Sequence, residues 1–526
     1  MKMLITLLLV VGGCWDDGRP IMWERDRTVL GPIPMKSQIA YVDSALDRVT
    51  LLDLTDDAPK ISTTQIGRRA VVAVPSPDRH LLFVITRGEE AIVEGQIDQP
   101  PLFWVIDTVH PDVETVAYEI GSPFDRVAVA PDNSMVVAYF SAAGPDEAGF
   151  FRNPNELAII HLAEPPSDTN PTLRNIRSFG SVPEGITLSP PMIVPGAADA
   201  TPRTFAFVLS ANNLTLIDAS HPAQREVSVR LDLGGPAVIP REVVFAPNTS
   251  SAYVRSDNAR DVLQVLIQAT PPETPEHADF KPLLAELGAG GGPTDIAVYD
   301  DPNQRRYVLA ATPNTGEIVV IDADTAQFRS IPLADPIDRI LLFPTGPDVA
   351  PTKALFASVT AKVPRVHVLD LVDIEDPLTQ VKLHTIELDH AVRGVVPVPG
   401  RDLAMLVHDA ARTVLGLLDM DTLSTSPLLG VDKLDSYDFS PSGSYLIGAT
   451  PTVSRIGFVA LDNLHPTDFR LDDPPARVLS TANAKIFVDH GDPLGHATII
   501  PSPTATRADA LVLTGFLTTN LLDQGP

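Results

Sequence analysis

The chain has a single cysteine, Cys14, so no internal disulfide is open to it. It contains no C-x-x-C pair, no H-E-x-x-H and no G-x-S-x-G elbow, which removes the metal-site, zinc-protease and serine-hydrolase motifs that are readable from sequence. Positive charge is scarce. Against 67 Asp and Glu there are 39 Lys and Arg, a formal net charge of −28. That argues against a nucleic-acid partner, which needs a basic face to neutralise phosphate. It suits a self-repelling, soluble outer surface. Only three tryptophans occur, Trp15 and Trp23 near the start and Trp104 in an apolar run, so no aromatic stacking platform is visible. The twelve histidines are scattered. Helical periodicity is nowhere sustained, and little helix is expected.

What is present is a repeated stretch, clearest from Phe103 to Ser141: FWVIDTVHPDVETVAYEIGSPFDRVAVAPDNSMVVAYFS. It holds four short runs rich in β-branched and aromatic residues: FWVID, TVAYEI, RVAVA and MVVAYF. Turn-formers separate them, among them Gly121-Ser122-Pro123 and Pro131-Asp132-Asn133. These read as strands. A lone four-stranded sheet of this kind cannot bury both faces. Radial stacking of copies buries them and leaves only short edges. The repeat returns every roughly 40 to 60 residues, which argues for one closed array rather than several domains.

The order V-x-V-I-D, then an apolar run ending in Gly, then P-x-x-V-A-V-x-P-D, resembles the YVTN-type, lactonase-like β-propeller repeats of bacterial proteins. The resemblance covers roughly Ile39 to Phe516 in degenerate copies. It implies an all-β fold, a single closed propeller of four-stranded blades whose strands run A (inner) to D (outer). Inner-strand candidates are Val71–Val74, Arg126–Val129, Gly185–Leu188, Glu242–Phe245, Asp295–Val298, Arg339–Phe343, Gly394–Val398, Ser436–Phe439 and Ala497–Ile500. C strands bearing the I-D signature or its relics are Leu51–Asp53, Val105–Asp107, Ile159–His161, Leu216–Asp218, Val265–Gln268, Val320–Asp322, Val368–Asp370, Leu417–Asp419 and Val459–Asp462. Both series predict nine blades. Closure is expected by exchange of ends, with Ile39–Val42, Val49–Leu54 and Ile61–Ile66 completing a blade begun by Ala497–Ile500 and Leu511–Phe516. One strand is then surplus, and eight blades is the alternative.

The N-terminus reads as an address. Met1-Lys2-Met3 supplies a positive charge, and Leu4 to Val11 is an apolar run too short to span a bilayer but of signal-peptide length. Val11-Gly12-Gly13-Cys14 resembles the lipobox of bacterial lipoproteins, in which the Cys is acylated and becomes the first residue. The commonest form has Leu at the Val11 position and Ala or Ser at the Gly12 position. An ordinary cleaved signal with a chance Cys is the other reading. Trp15 after the Cys, rather than Asp, resembles the pattern for outer-membrane sorting. The expected layout is a signal peptide over 1–13, the lipidated Cys14 with a flexible tether over 14–37, and a propeller over 38–526. The expected address is the bacterial cell envelope, facing the periplasm or the cell surface.

Aligning the copies on the inner-strand proline exposes a polar position just before the apolar run: Asp125, Glu184, Arg241, Thr294, Asp338, Arg393 and Asp435. In the resembled fold this position lies where the D–A loop enters the channel. A charged ring there suits a polar ligand or a cation. Equally, the side chains could pair across neighbouring blades and solvate the rim. Three long connections, Gly88–Pro100 and Ala142–Asn155 as B–C loops and Ser480–Gly495 as a D–A loop, are expected on that same face. The last contains Asp489, His490, Asp492 and His496, whose carboxylates and imidazoles are candidate ligands for a divalent metal cofactor. The glycine-rich Leu287–Pro293 lacks the Lys-Ser/Thr of a P-loop and leads into a strand, so it reads as a D–A turn.

Two functions remain open. One is a membrane-anchored binding or scaffold module, acting as a monomer, for an envelope protein, glycan or peptide. The other is a lactonase-like or quinoprotein-like propeller hydrolase or oxidoreductase, with channel-mouth carboxylates as general base or metal ligands. Motif absences favour the first, since the fold by itself assigns no chemistry.

Overall fold

A polarity gradient along each repeat accounts for its four strands. Second strands such as Phe205–Ser210 are buried on both faces, which is why they read as continuous apolar runs. Fourth strands such as Lys60–Gln65 and Val227–Arg230 are exposed along most of their length or at alternate residues, and carry Thr, Ser and charge. In the computed structural model the described residues are 27–518, apart from 90–97, 111–112, 142–152, 177–181, 198–199, 247–248, 272–273, 275–276, 334, 345–348, 373, 375–380, 410–413 and 429–434. Within them the strands form ten four-stranded antiparallel sheets, each built from consecutive strands. Blades 1 to 10 span 29–65, 70–119, 126–175, 185–230, 239–287, 295–332, 339–387, 392–428, 436–470 and 477–514.

The sheets close into a β-propeller. First strands of neighbouring blades touch one another, which puts them innermost. One cluster of buried apolar side chains fills each junction between consecutive blades. A tenth cluster joins blade 10 to blade 1, with Leu479, Phe487 and Ile499 packed on Ile39, Tyr41 and Leu52. Among the described residues, helix is represented by 3-10 turns such as Arg507–Asp509 and Phe516–Thr518. None is long and apolar enough to cross a membrane.

The I-D signature has a mechanical cause. At the end of a C strand the aspartate accepts the N–H groups two and three residues ahead and so shapes the turn into strand D. Asp107 takes Val109 and His110, both at 2.8 Å. Asp218 takes Ser220 and His221 at 3.0 and 3.1 Å. Asp322 and Asp419 do the same in blades 6 and 8.

Ten blades replace the nine, or eight, expected from sequence. All nine predicted C strands are third strands, and eight of the nine predicted inner strands are first strands. Ala497–Ile500 is the exception: His496–Ile500 is the third strand of blade 10, and Leu511–Thr514 is its fourth. Two inner strands escape the proline alignment. Val29–Pro34 (VLGPIP) carries two prolines and a register shift between Leu30 and Ile33, tolerable because one edge of an innermost strand faces the channel rather than a partner strand. It lies inside the segment expected to be tether, so the first blade begins at Val29 rather than after residue 37. Arg477–Ser480 is four residues long and lacks the proline that follows other inner strands. Its presence removes the predicted exchange of ends, because blade 1 and blade 10 each supply their own four strands. It also divides the predicted loop Ser480–Gly495. Residues 481–485 are an A–B turn, Ile486–Asp489 is a strand, and 490–495 is a B–C turn.

Candidate functional site: the rim of the channel

Five of the seven aligned polar positions are equivalent in the structure. Asp125, Glu184, Thr294, Asp338 and Asp435 each stand one residue before an inner strand. Their main-chain N–H groups donate to the end of the neighbouring B strand, at Tyr139, Leu209, Ala311, Ala357 and Ala449, over 2.8 to 3.3 Å. Arg241 and Arg393 sit within inner strands, at register shifts between Pro240 and Glu242 and between Val392 and Gly394. A bulge residue leaves the ladder and turns out of the strand's alternation.

The side chains hold the rim. Glu184 of blade 4 and Arg241 of blade 5 pair across the blade boundary at 3.2 Å. Arg241 also binds Asp257 at 2.6 Å, and Arg255 reaches both Asp257 and Glu242 at 3.2 Å. Burial would lift the Asp257 carboxyl, but the hydrogen bond and charge of Arg241, with Arg255, outweigh it and hold the group below the ordinary carboxylate range. Asp125 and Asp338 turn back on their own blades. Asp125 accepts from the Ser141 N–H at 2.7 Å, and Asp338 from Val359 and Thr360 at 2.8 and 2.6 Å. Arg393 is exposed beside Asp409, whose carboxyl is lowered mainly by its hydrogen bond to Lys362. Asp435 is exposed at the head of blade 9.

A second polar set, one or more residues deeper, lies in the channel wall and was not singled out from sequence. Asp295, on the inner strand Asp295–Asp300, accepts the Ile340 N–H of blade 7 at 2.8 Å. Asp438 on the inner strand of blade 9 accepts the Ser480 N–H of blade 10 at 2.7 Å, and Ser436 accepts Val478 at 3.1 Å. These side chains satisfy edge N–H groups that a first strand turns toward its neighbour. Burial raises the Asp295 carboxyl to about 6, and Glu242 adds to the rise against the Ile340 bond. Burial raises Asp438 as well. No sequence signal marks them: Asp295 shares its strand with Asp300, and Asp438 shares its strand with Ser436.

Of the long connections, Gly88–Pro100 and Ala142–Asn155 are B–C loops of blades 2 and 3, with residues 90–97 and 142–152 outside the described residues. The neck of the first is pinned. Glu89 and Gln99 exchange main-chain hydrogen bonds at 2.9 Å, and the Glu89 carboxylate pairs with Arg68 and Arg69. Gly88 has φ +75°, and a Cβ there would meet the Gln99 carbonyl at 2.0 Å, so only glycine fits.

The four candidate metal ligands each have partners of their own. Asp489 is buried and takes the Tyr41 hydroxyl at 3.1 Å. His490 is engaged at Nδ1 by the Pro474 carbonyl and at Nε2 by the Thr498 hydroxyl. Asp492 caps the Leu494 N–H, and His496 stacks on His490 with ring centres 4.3 Å apart while facing Asp473. Among the described residues no group of three or more His, Cys, Asp or Glu is arranged to hold a metal ion. Cys14 and the signal segment lie outside the described residues.

No protein-family model matches this chain, and no curated protein matches it. Solved structures do resemble it. The dihydro-heme d1 dehydrogenase NirN in complex with DHE is 14% identical with a TM-score of 0.42, over 85% of this chain and 78% of that one. The Dos1 propeller is 12% identical with a TM-score of 0.41, over 69% and 89%. Hydrazine synthase of Kuenenia stuttgartiensis is 15% identical with a TM-score of 0.32, over 65% and 99%.

Proposed function

We propose that this propeller is a lipid-anchored binding module of the bacterial envelope. Acylated Cys14 holds it at a membrane, of the outer-membrane type, and the face carrying the B–C and D–A connections takes a protein, glycan or peptide partner. Its blades descend, in this reading, from YVTN-type repeats. The observation that carries the proposal is the state of the rim. Glu184 and Arg241 tie two blades together, while Asp125 and Asp338 are held by main-chain N–H groups. Charges fixed in this way form a rigid, preorganised surface, which suits recognition because little is left to order on binding.

Two measurements test it. Metabolic labelling with palmitate is expected to mark the protein, and Cys14→Ser is expected to lose the label and leave the membrane fraction. Replacing residues 90–97 and 142–152 with short Gly-Ser links is expected to abolish capture of the partner that the parent protein retains from envelope extracts. Membrane association that survives Cys14→Ser would falsify the anchor, and undiminished capture by the loop-shortened protein would remove the binding face.

A further inference from the structure

Between blades 5 and 6, on the B–C and D–A face, lies a cavity of about 480 Å³. Its wall comes from the B–C turn of blade 5, the glycine-rich connection before blade 6, and the B–C turn of blade 6. These turns are locked to one another. Asp261 accepts the N–H groups of Ala289 and Gly290 at 2.8 and 2.9 Å. The Gly292 N–H donates to the Arg260 carbonyl at 3.2 Å, and the Asn314 amide donates to the Gly291 carbonyl at 3.3 Å. Gly290 and Gly292 have φ of +69° and +71°, and a Cβ on Gly291 would stand 2.7 Å from Thr312. The glycines therefore serve tight turns and close approach. What they leave is a cavity formed in advance of any ligand.

Several polar groups on this wall are uncommitted. Ser256 is 1% exposed, yet its hydroxyl has no hydrogen-bond partner. The Arg260 guanidinium is exposed and makes no ion pair among the described residues. Asp257 also lines the cavity, but Arg241 and Arg255 already neutralise it. The wall has neither an aromatic nor a branched aliphatic side chain. Such a lining does not select an apolar ligand. It selects one rich in hydroxyls and bearing a single acid group.

We propose that this cavity binds a uronic acid, the sugar carboxylate pairing with Arg260 and its hydroxyls meeting Asn258 and Thr294. The proposal rests on the binding-module reading and names a ligand class for blades 5 and 6, whereas the two long loops belong to blades 2 and 3. Calorimetric titration of the purified chain with glucuronate and, separately, glucose tests it. Glucuronate is expected to bind saturably at millimolar concentration or below, and glucose at least about tenfold more weakly. Arg260→Gln is expected to weaken glucuronate by about tenfold or more, as loss of a charge-assisted bond does. Asn258→Gly keeps the left-handed turn at φ 64° and is expected to weaken it too; it carries the test should Arg260→Gln misfold. No saturable signal up to about 10 mM, equal binding of both sugars, or unchanged affinity in the folded variants overturns the proposal. Protein with shortened 90–97 and 142–152 loops is expected to keep glucuronate binding. Loss of sugar binding with partner capture intact therefore counts against this cavity alone, and the reverse result against the binding face alone.

Discussion

Asp295 shows how a single carboxylate joins two blades and leaves a trace in the pH dependence of folding. Its carboxyl accepts the Ile340 N–H across the blade boundary, and burial raises its pKa to about 6. An unfolded aspartate titrates near about 3.9. Between those values the folded chain binds the proton and the unfolded chain does not. The contribution of this group to stability is thus greatest below about pH 4, falls as pH rises to about 6, and is level above that, a loss of about 2–3 kcal/mol. Asp295→Asn keeps an acceptor for Ile340 and removes the charge that Glu242 opposes. The variant is expected to match its parent near pH 4 and to exceed it by that amount above about pH 7, measured by urea unfolding at both. Equal stability at both pH values would show that Asp295 is solvated rather than buried. At this scale the sequence was informative wherever a side chain serves the strand it follows. The C-strand aspartates Asp107, Asp218, Asp322 and Asp419 recur because a local turn needs them. Asp295 and Asp438 serve the next blade, forty-odd residues on, and no local pattern announces that.

The connection into blade 7 shows how an element is held. Asp335, on the D–A loop, is 3% exposed and takes Arg365 at 2.5 and 2.7 Å and His367 at 2.8 Å. His367 is 2% exposed, and its other ring nitrogen meets the Thr385 hydroxyl at 3.0 Å. The C strand Arg365–Asp370 is thereby fixed to the loop that enters its own blade and to its D strand. Asp335→Ala strands a buried imidazole, and a cost of about 2–3 kcal/mol is expected. Thr385→Val tests the far end of the same chain and should cost less, about 1 kcal/mol. Thermal or denaturant unfolding reads both, and a neutral Asp335→Ala would dismiss the network as a stabilising element. Strands of this kind were legible where they obeyed the repeat's punctuation. The C strands did so in nine blades. The inner strands Val29–Pro34 and Arg477–Ser480 did not: one is interrupted by prolines and the other lacks the proline turn. The rim position was legible as an aligned polar column. Which of its members pair, as Glu184 and Arg241 do, depends on the distance between blades, and a sequence does not carry that.

Closure is the property of the whole ring. Each blade keeps its own four strands, so the seam between blades 10 and 1 has no exchanged strand to hold it and depends on side-to-side packing. The seam is reinforced from several directions. Tyr41 sits against Phe516 with ring centres 5.5 Å apart and donates to Asp489. Arg48 reaches the Leu517 carbonyl at 2.5 Å, the Asn483 amide reaches Leu54 at 2.7 Å, and Arg477 reaches Pro32 at 3.0 Å. In an array where each unit touches only its neighbours, stability is close to a sum over junctions, and unfolding starts at the weakest. The high negative charge works against every junction, and this one joins the two blades farthest apart in the sequence. Phe516→Ala removes a ring that is 2% exposed, and a loss of about 3–5 kcal/mol is expected. Because that loss falls at the seam, hydrogen exchange is expected to accelerate in 29–65 and 477–514 before it rises in blades 4 to 7. A uniform rise around the ring would mean that the ten blades unfold as one cooperative body. A rise beginning in the middle blades would place the weak junction elsewhere.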